Sequence, residues 1–273
     1  MSFSQQEMVV TVLGHGDSLG TPRVYCGCAV CEEARAGGLN IRRRSAIWLN
    51  TADEAPLLVD CGPDWRHQME RLGVRRVGQA LLTHAHVDHI GGLAEWADAC
   101  RWLETTAELH APAEVLSDVN IRYPWIGGRL LHRPIDPAGE LTYGGWTIRA
   151  WKVNHGKNGY SYAYRFEHPN GGAWAYCPDS IDLTESQKAP LSGLSLLILG
   201  TSFYEEPYPM ETRSLYDVKE GLQLAEEVGA ESVVFTHLSH DIDVRRDYGL
   251  PDWARFAYEG MELRIAAERS RRE

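Results

Sequence analysis

Apolar positions fall in short runs along most of the chain, and the first, Met8 to Leu13 (MVVTVL), has the β-branched content of a strand. Ser45 to Asn50 reads the same way, and Pro56 to Asp60 (PLLVD) is an apolar run ending on a carboxylate. Asp64 to Leu72 carries a helical period that Gly73 ends, and Gln79 to Thr83 has the pattern of a buried strand. An amphipathic helix is predicted over Ile90 to Glu104, a strand over Ala107 to His110 and a helix over Ala113 to Ile121. Further strands are predicted at Thr147 to Val153, Ser161 to Phe166, Ala173 to Cys177 and Ser195 to Leu199. Leu215 to Val228 reads as a helix, with Ser214 placed to cap it and Gly229 ending it, and Ser232 to Thr236 is one more strand. Two β-rich halves with flanking helices predict an α/β fold, an αββα sandwich of two packed mixed sheets with helices outside. No repeat, low-complexity tract or linker interrupts the 273 residues, so a single domain over 1–273 is expected.

Composition narrows the partners. The formal net charge of -11 supplies no general field to draw the chain onto DNA, RNA or anionic lipid. Its one compact basic run, Arg42-Arg43-Arg44, is expected to be solvated or salt-bridged. Apolar runs such as Leu194 to Leu199 are far shorter than the ~20 residues of a membrane span. The first residues lack a basic stretch followed by an apolar core, so a cytoplasmic protein with no membrane partner is expected. Three of the six cysteines crowd at Cys26, Cys28 and Cys31, which favours metal binding over disulfides. Trp96, Trp102, Trp125 and Trp253 are expected to pack the core.

The stretch THAHVDHIGG, residues 83–92, places His84, His86, Asp88 and His89 where a buried strand gives way to a helix. On an irregular turn all four can point into one cavity, and imidazoles with a carboxylate suit borderline divalent ions such as zinc, manganese or iron. A lone histidine is most often a satisfied core or surface residue, but four such donors in six positions are not explained that way. Gly91 and Gly92 let the backbone turn tightly beside the cluster. Cys26, Cys28 and Cys31 are one ligand short of a closed tetrahedral site. His240, three residues past His237, is the natural fourth member of a structural zinc site formed by the Cys-rich loop 20–31.

THAHVDH resembles the HxHxDH signature of the metallo-β-lactamase superfamily. That resemblance implies a metallo-β-lactamase fold with further ligands at strand ends, and the sequence offers Asp60 in VDCG, His155 in VNHG, Asp179 in YCPDS and His237 in FTH. By resemblance, one ion would take His84, His86 and His155, the other Asp88, His89 and His237, with Asp179 shared and Asp60 orienting a histidine. Two ions so held would activate a water for hydrolysis, with Asp88 and Asp179 as catalytic carboxylates.

The order CxCxxC, RRRS, VDCGPD, THAHVDH, CPD, THLSHD is similar to the phosphodiesterases of the phosphonate (carbon-phosphorus lyase) pathway, from Leu13 to about Gly260. The resemblance implies a phosphodiesterase of phosphonate metabolism opening a small cyclic ester such as phosphoribosyl 1,2-cyclic phosphate. It also implies manganese or zinc at the catalytic pair, one structural zinc, and a homodimer. Those relatives carry a histidine where this chain has Leu215. Arg213 is the candidate for a phosphate contact in its place, and Tyr216 or Asp217 for a proton donor. Two other readings belong to the same superfamily. One is a cofactor-biosynthesis or oxygen-handling metalloprotein, since a pyrroloquinoline-quinone biosynthesis protein shares the cysteine loop. The other is a tRNA-processing nuclease, which the acidic charge and the lack of an RNA-gripping arm argue against.

Overall fold

The computed structural model describes residues 7–268. In chain order its strands are β1 (Glu7–Gly14), β2 (Ala46–Asn50), β3 (Leu57–Val59), β4 (Gln79–Leu81), β5 (Ala107–Pro112), β6 (Leu130–Ile135) and β7 (Leu141–Tyr143). The second half adds β8 (Trp146–Asn154), β9 (Tyr160–Glu167), β10 (Ala173–Cys177), β11 (Leu196–Gly200), β12 (Val233–Thr236), β13 (Ala254–Phe256) and β14 (Glu262–Ala266). The helices are α1 (Ala29–Arg35), α2 (Trp65–Leu72), α3 (Val87–Ile90), α4 (Leu93–Trp102), α5 (Ala113–Arg122), α6 (Glu185–Lys188) and α7 (Val218–Glu227).

One sheet runs β14-β1-β2-β3-β4-β5-β6 and the other β13-β12-β11-β10-β9-β8-β7. Strands β3 to β6 pair in parallel, as do β10 to β13. The remaining pairs are antiparallel. Strand period divides the core between two layers. Trp174, Tyr176 and Ile198 enter the layer between the sheets, where Trp174 stacks on Phe166 at 4.1 Å. Their neighbours Ala175, Cys177, Leu197 and Leu199 face the other way, onto Val218, Leu224 and Ala225 of α7. Burial on both faces is why these strands read as continuous apolar runs. Each fully buried Leu, Ile or Phe contributes about 1.5–3 kcal/mol relative to an exposed one.

Several expectations are corrected. The helix expected over Ile90 to Glu104 is two helices meeting at Gly91-Gly92, because the Gly92 N–H turns aside to donate to the Cys61 carbonyl at 2.8 Å. Asp217, not Ser214, caps α7, in a reciprocal capping box with Glu220. Arg42 is neither solvated nor salt-bridged: it is buried and donates to the carbonyls of Ser239 and Ile242 and to Asn40 Oδ1. Arg43 and Arg44 do pair, with Glu259 and Asp64. Trp96 is buried and Trp253 half-buried, but Trp102 and Trp125 are 75% and 58% exposed, because each sits at the outer end of a helical segment rather than on its packed face. Among the described residues, no helix is long and apolar enough to cross a membrane.

Candidate active site

The chemistry collects at strand ends. Asp60 follows β3, Thr83 and His84 follow β4, His155 follows β8, Asp179 lies two residues past β10, and His237 follows β12. His86 leads into α3, which carries Asp88 and His89. Three donor sets result, each with its atoms within 4.8 Å of one another: His84, His86 and His155; Asp88, His89 and His237; and His84, His89 and Asp179. The residues expected to serve two ions are thus brought together in the expected groups, with Asp179 reaching into both. Its Oδ2 lies 2.8 Å from His89 Nε2 and 3.7 Å from His84 Nε2, and its Oδ1 lies 3.2 Å from His237 Nε2.

These approaches are close but not aligned as hydrogen bonds. His89 Nε2 and both Asp179 oxygens are fully buried without a hydrogen-bond partner. An ionised carboxylate is costly to bury in that condition. Burial works against charge on Asp179, yet His237 and His89 hold its carboxyl well below the usual range. Burial is likewise outweighed at Asp88 by His89 and His237. Burial pushes His84, His86 and His155 down, which leaves neutral imidazoles with lone pairs to offer. On His89 and His237 burial is overcome by Asp88 and Asp179, which raise both, His237 to about 9. The carboxylates therefore demand positive charge at this spot, and the donor set fits divalent cations.

A supporting layer fixes the rings. Asp60 Oδ2 lies 2.8 Å from His89 Nδ1, as expected of an orienting carboxylate. Its Oδ1 accepts from the Thr83 N–H at 2.9 Å. Thr83 Oγ1 and Ser161 Oγ lie 3.0 and 3.3 Å from His84 Nδ1, and the Ser214 carbonyl accepts from His155 Nδ1 at 2.8 Å. Each contact leaves the Nε2 atom facing the cluster. The sequence reading missed these three partners. Thr83 stands inside the motif and was open to notice, whereas Ser161 and Ser214 carry no local signal. Asp88 O, in turn, would be only 2.1 Å from a Cβ at Gly62, and Gly62 O only 2.4 Å from one at Gly92, so these glycines serve close backbone approach; Gly91 and Gly92 have ordinary negative φ.

The cysteine cluster assembles with its expected partner. Sγ atoms of Cys26, Cys28 and Cys31 lie 3.3, 3.5 and 3.3 Å from His240 Nδ1. All four donors lie within 4.8 Å of one another, a complete set for a closed tetrahedral site.

Arg213 is not a phosphate contact. Its guanidinium is buried among Glu206 at 3.1 Å, Glu220 at 2.6 Å and Asp217 at 3.6 Å, so its donors are already engaged. Asp217 caps α7, and the Tyr216 hydroxyl accepts from the Leu183 N–H, so neither reaches the donor clusters. A cavity of about 100 Å³ opens over the clusters, walled by Asp17, Ser18, Asn158, Ser202, Ser214 and Leu215. A larger one of about 280 Å³ lies by the opposite strand ends, at Gly172, Leu196 and Ser232, away from all the donor sets.

A family model described as a beta-lactamase superfamily domain matches residues 56–238. An octanoyltransferase of Porphyromonas gingivalis is 27% identical over 267 residues, 93% of this chain and 51% of that protein. A coenzyme PQQ synthesis protein B of Ruegeria pomeroyi is 29% identical over 137 residues, 47% of this chain and 45% of that protein. The chain spans about half the length of these curated relatives. Among solved structures, a new diphosphatase from the PhnP family superposes with a TM-score of 0.82 at 26% identity, covering 95% of this chain and 98% of that one. Zn(2+)-bound PqqB from Methylobacterium extorquens superposes at 0.77 with 19% identity, covering 93% and 99%, and shares the fold.

Proposed function

This chain belongs to the beta-lactamase superfamily, and on that footing we propose that it is a dinuclear metal-dependent hydrolase, a phosphodiesterase acting on a small phosphate ester. The observation that carries the reading is Asp179, buried between two imidazole clusters with both oxygens lacking a hydrogen-bond partner. Full-length likeness to a diphosphatase of the PhnP family supports phosphorus as the reacting centre. His84, His86 and His155 would hold one ion, Asp88, His89 and His237 the other, and Asp179 would touch both. When bound, such a pair lowers the pKa of a water and stabilises the oxygens of an in-line displacement.

The chain's own groups do the rest. Asp60, Thr83, Ser161 and Ser214 hold the imidazoles of His84, His89 and His155 in one orientation, so less reorganisation is left for the reaction itself. In the hydrolysis proposed, water oxygen bonds to phosphorus, the bond from phosphorus to one arm breaks, and the arm departs with the electron pair. Leu215 in the wall offers no proton, so the attacking water releases its proton to solvent and the departing arm takes one from solvent. The catalytic pair is manganese or zinc in this reading, and the cysteine cluster holds a structural zinc.

Purified protein loaded with manganese or zinc should hydrolyse bis(p-nitrophenyl) phosphate, and Asp179→Ala should abolish that activity. Full activity in Asp179→Ala would refute the bridge. No turnover with any divalent metal would sink the phosphodiesterase and leave the cofactor-synthesis reading suggested by the PQQ relatives.

A further inference from the structure

The walls of the catalytic cavity hold no arginine or lysine among the described residues. Arg213 is enclosed by three carboxylates. Arg23 is paired with Asp17, the carboxylate in the wall. Lys157, on the turn between His155 and Asn158, is exposed and does not line the cavity. What remains polar there is neutral: Ser18, Asn158, Ser202 and Ser214.

Around this cavity exposed apolar side chains stand beside the exposed polar Ser18, Asn158 and Lys157. Leu215 forms part of the wall. Val87, between His86 and Asp88, is 58% exposed, and Leu19, next to Ser18, is 50% exposed. Tyr208 and Met210 are also exposed, at the start of a turn (Met210–Thr212) that packs on the turn Gly156–Asn158 beside His155. Leu215 in the wall, with Leu19 and Val87 next in the chain to lining residues, offers apolar surface to a substrate's arm.

From this arrangement, and resting on the phosphodiesterase reading, we infer that the substrate is a singly charged phosphodiester whose second arm is neutral and apolar, and that a second phosphate is selected against. The one phosphoryl charge is met at the donor clusters. A further phosphate would leave water for walls that offer hydroxyls, an amide and a carboxylate, so its lost hydration would go uncompensated. The net charge of -11 weighs the same way. A phosphoribosyl cyclic phosphate, whose ribose bears an additional phosphate, fits this cavity poorly.

Titration calorimetry on the metal-loaded protein tests this with hexyl methyl phosphate, a singly charged diester, and with its analogue bearing a second phosphate at the end of the six-carbon arm (the bisphosphate). Hexyl methyl phosphate is expected to bind about tenfold more tightly, the equivalent of one uncompensated charged group. Equal or tighter binding of the bisphosphate overturns the inference. Leu215→Arg is expected to move the ratio toward the bisphosphate, while Lys157→Ala should leave it as it is. A ratio altered in Lys157→Ala would make that lysine a phosphate contact and overturn the inference as well. Hydrolysis of bis(p-nitrophenyl) phosphate judges the reaction separately: if it is absent while the binding preference holds, the reaction assignment falls and the selectivity stands.

Discussion

Asp60 is fully buried at a φ of 64°, a conformation that costs a non-glycine residue about 1–3 kcal/mol. It is held there because its oxygens meet the Thr83 N–H, the Thr83 hydroxyl and His89 Nδ1. Asp60→Asn keeps the shape but can present an amide N–H to that imidazole nitrogen. Metal titration of the variant is expected to show affinity lower by about 10–100-fold, and unchanged affinity would refute the orienting role. Arg213 makes the contrasting case. Arg213→Met leaves buried carboxylates without their cation and is expected to destabilise the fold by about 3 kcal/mol in urea unfolding, with KM for a phosphodiester within about twofold of the parent. A KM raised tenfold at unchanged stability would restore it as a phosphate contact. The difference in legibility between these two residues is physical. THAHVDH declares its chemistry because its donors are neighbours in the chain, whereas the use of an arginine depends on which carboxylates fold against it. Glu206 and Glu220, seven residues to either side of Arg213, carried no sign that they would close over it.

The break between α3 and α4 is set by packing rather than by helix propensity. A Cβ at Gly92 would stand 2.4 Å from Gly62 O and 2.6 Å from Trp65 Cβ, so neither neighbour is a flexible tip that could yield. Gly92→Ala is expected to cost about 1–3 kcal/mol and to displace α3, and with it Asp88 and His89. Circular dichroism should then show the fold retained while metal analysis shows the catalytic ions diminished; full occupancy in the variant would refute the coupling. The elements that announced themselves in the sequence are those buried on both faces, such as β10 and β11. Strands β6, β7, β13 and β14 did not, because they are short or lie at sheet edges, where half their positions face water and the apolar period is faint. Helix α1 was hidden for another reason. Its cap is Cys28, whose Sγ accepts from the Cys31 N–H, so the cysteines read as ligands also begin a helix.

Across the whole molecule, several contacts tie the N-terminal loop to the segment after β12, two of them through side chains the sequence singles out. One is the Cys26, Cys28, Cys31 and His240 cluster, the other Arg42 reaching the carbonyls of Ser239 and Ile242. Cys28→Ser is expected to lose one tightly held zinc and to lower the melting temperature, while metal added back still restores the catalytic pair. Unchanged zinc content would show that the cluster is not a metal site. The sandwich was legible from the alternation of β-rich and helical stretches and the strand-end donors from the resemblance of THAHVDH to a known signature, but the loop-to-strand tie through Arg42 was not, since backbone carbonyls leave no mark in a sequence. The clustered donors span positions 84 to 237 and arrive from both sheets. Neither cluster closes within THAHVDH alone: one lacks His155, the other lacks His237, and both lack Asp179. Closing loops of that length comes late in folding. An ion that needs a whole cluster would therefore find one only after both sheets have met, so metal uptake would report on the finished fold.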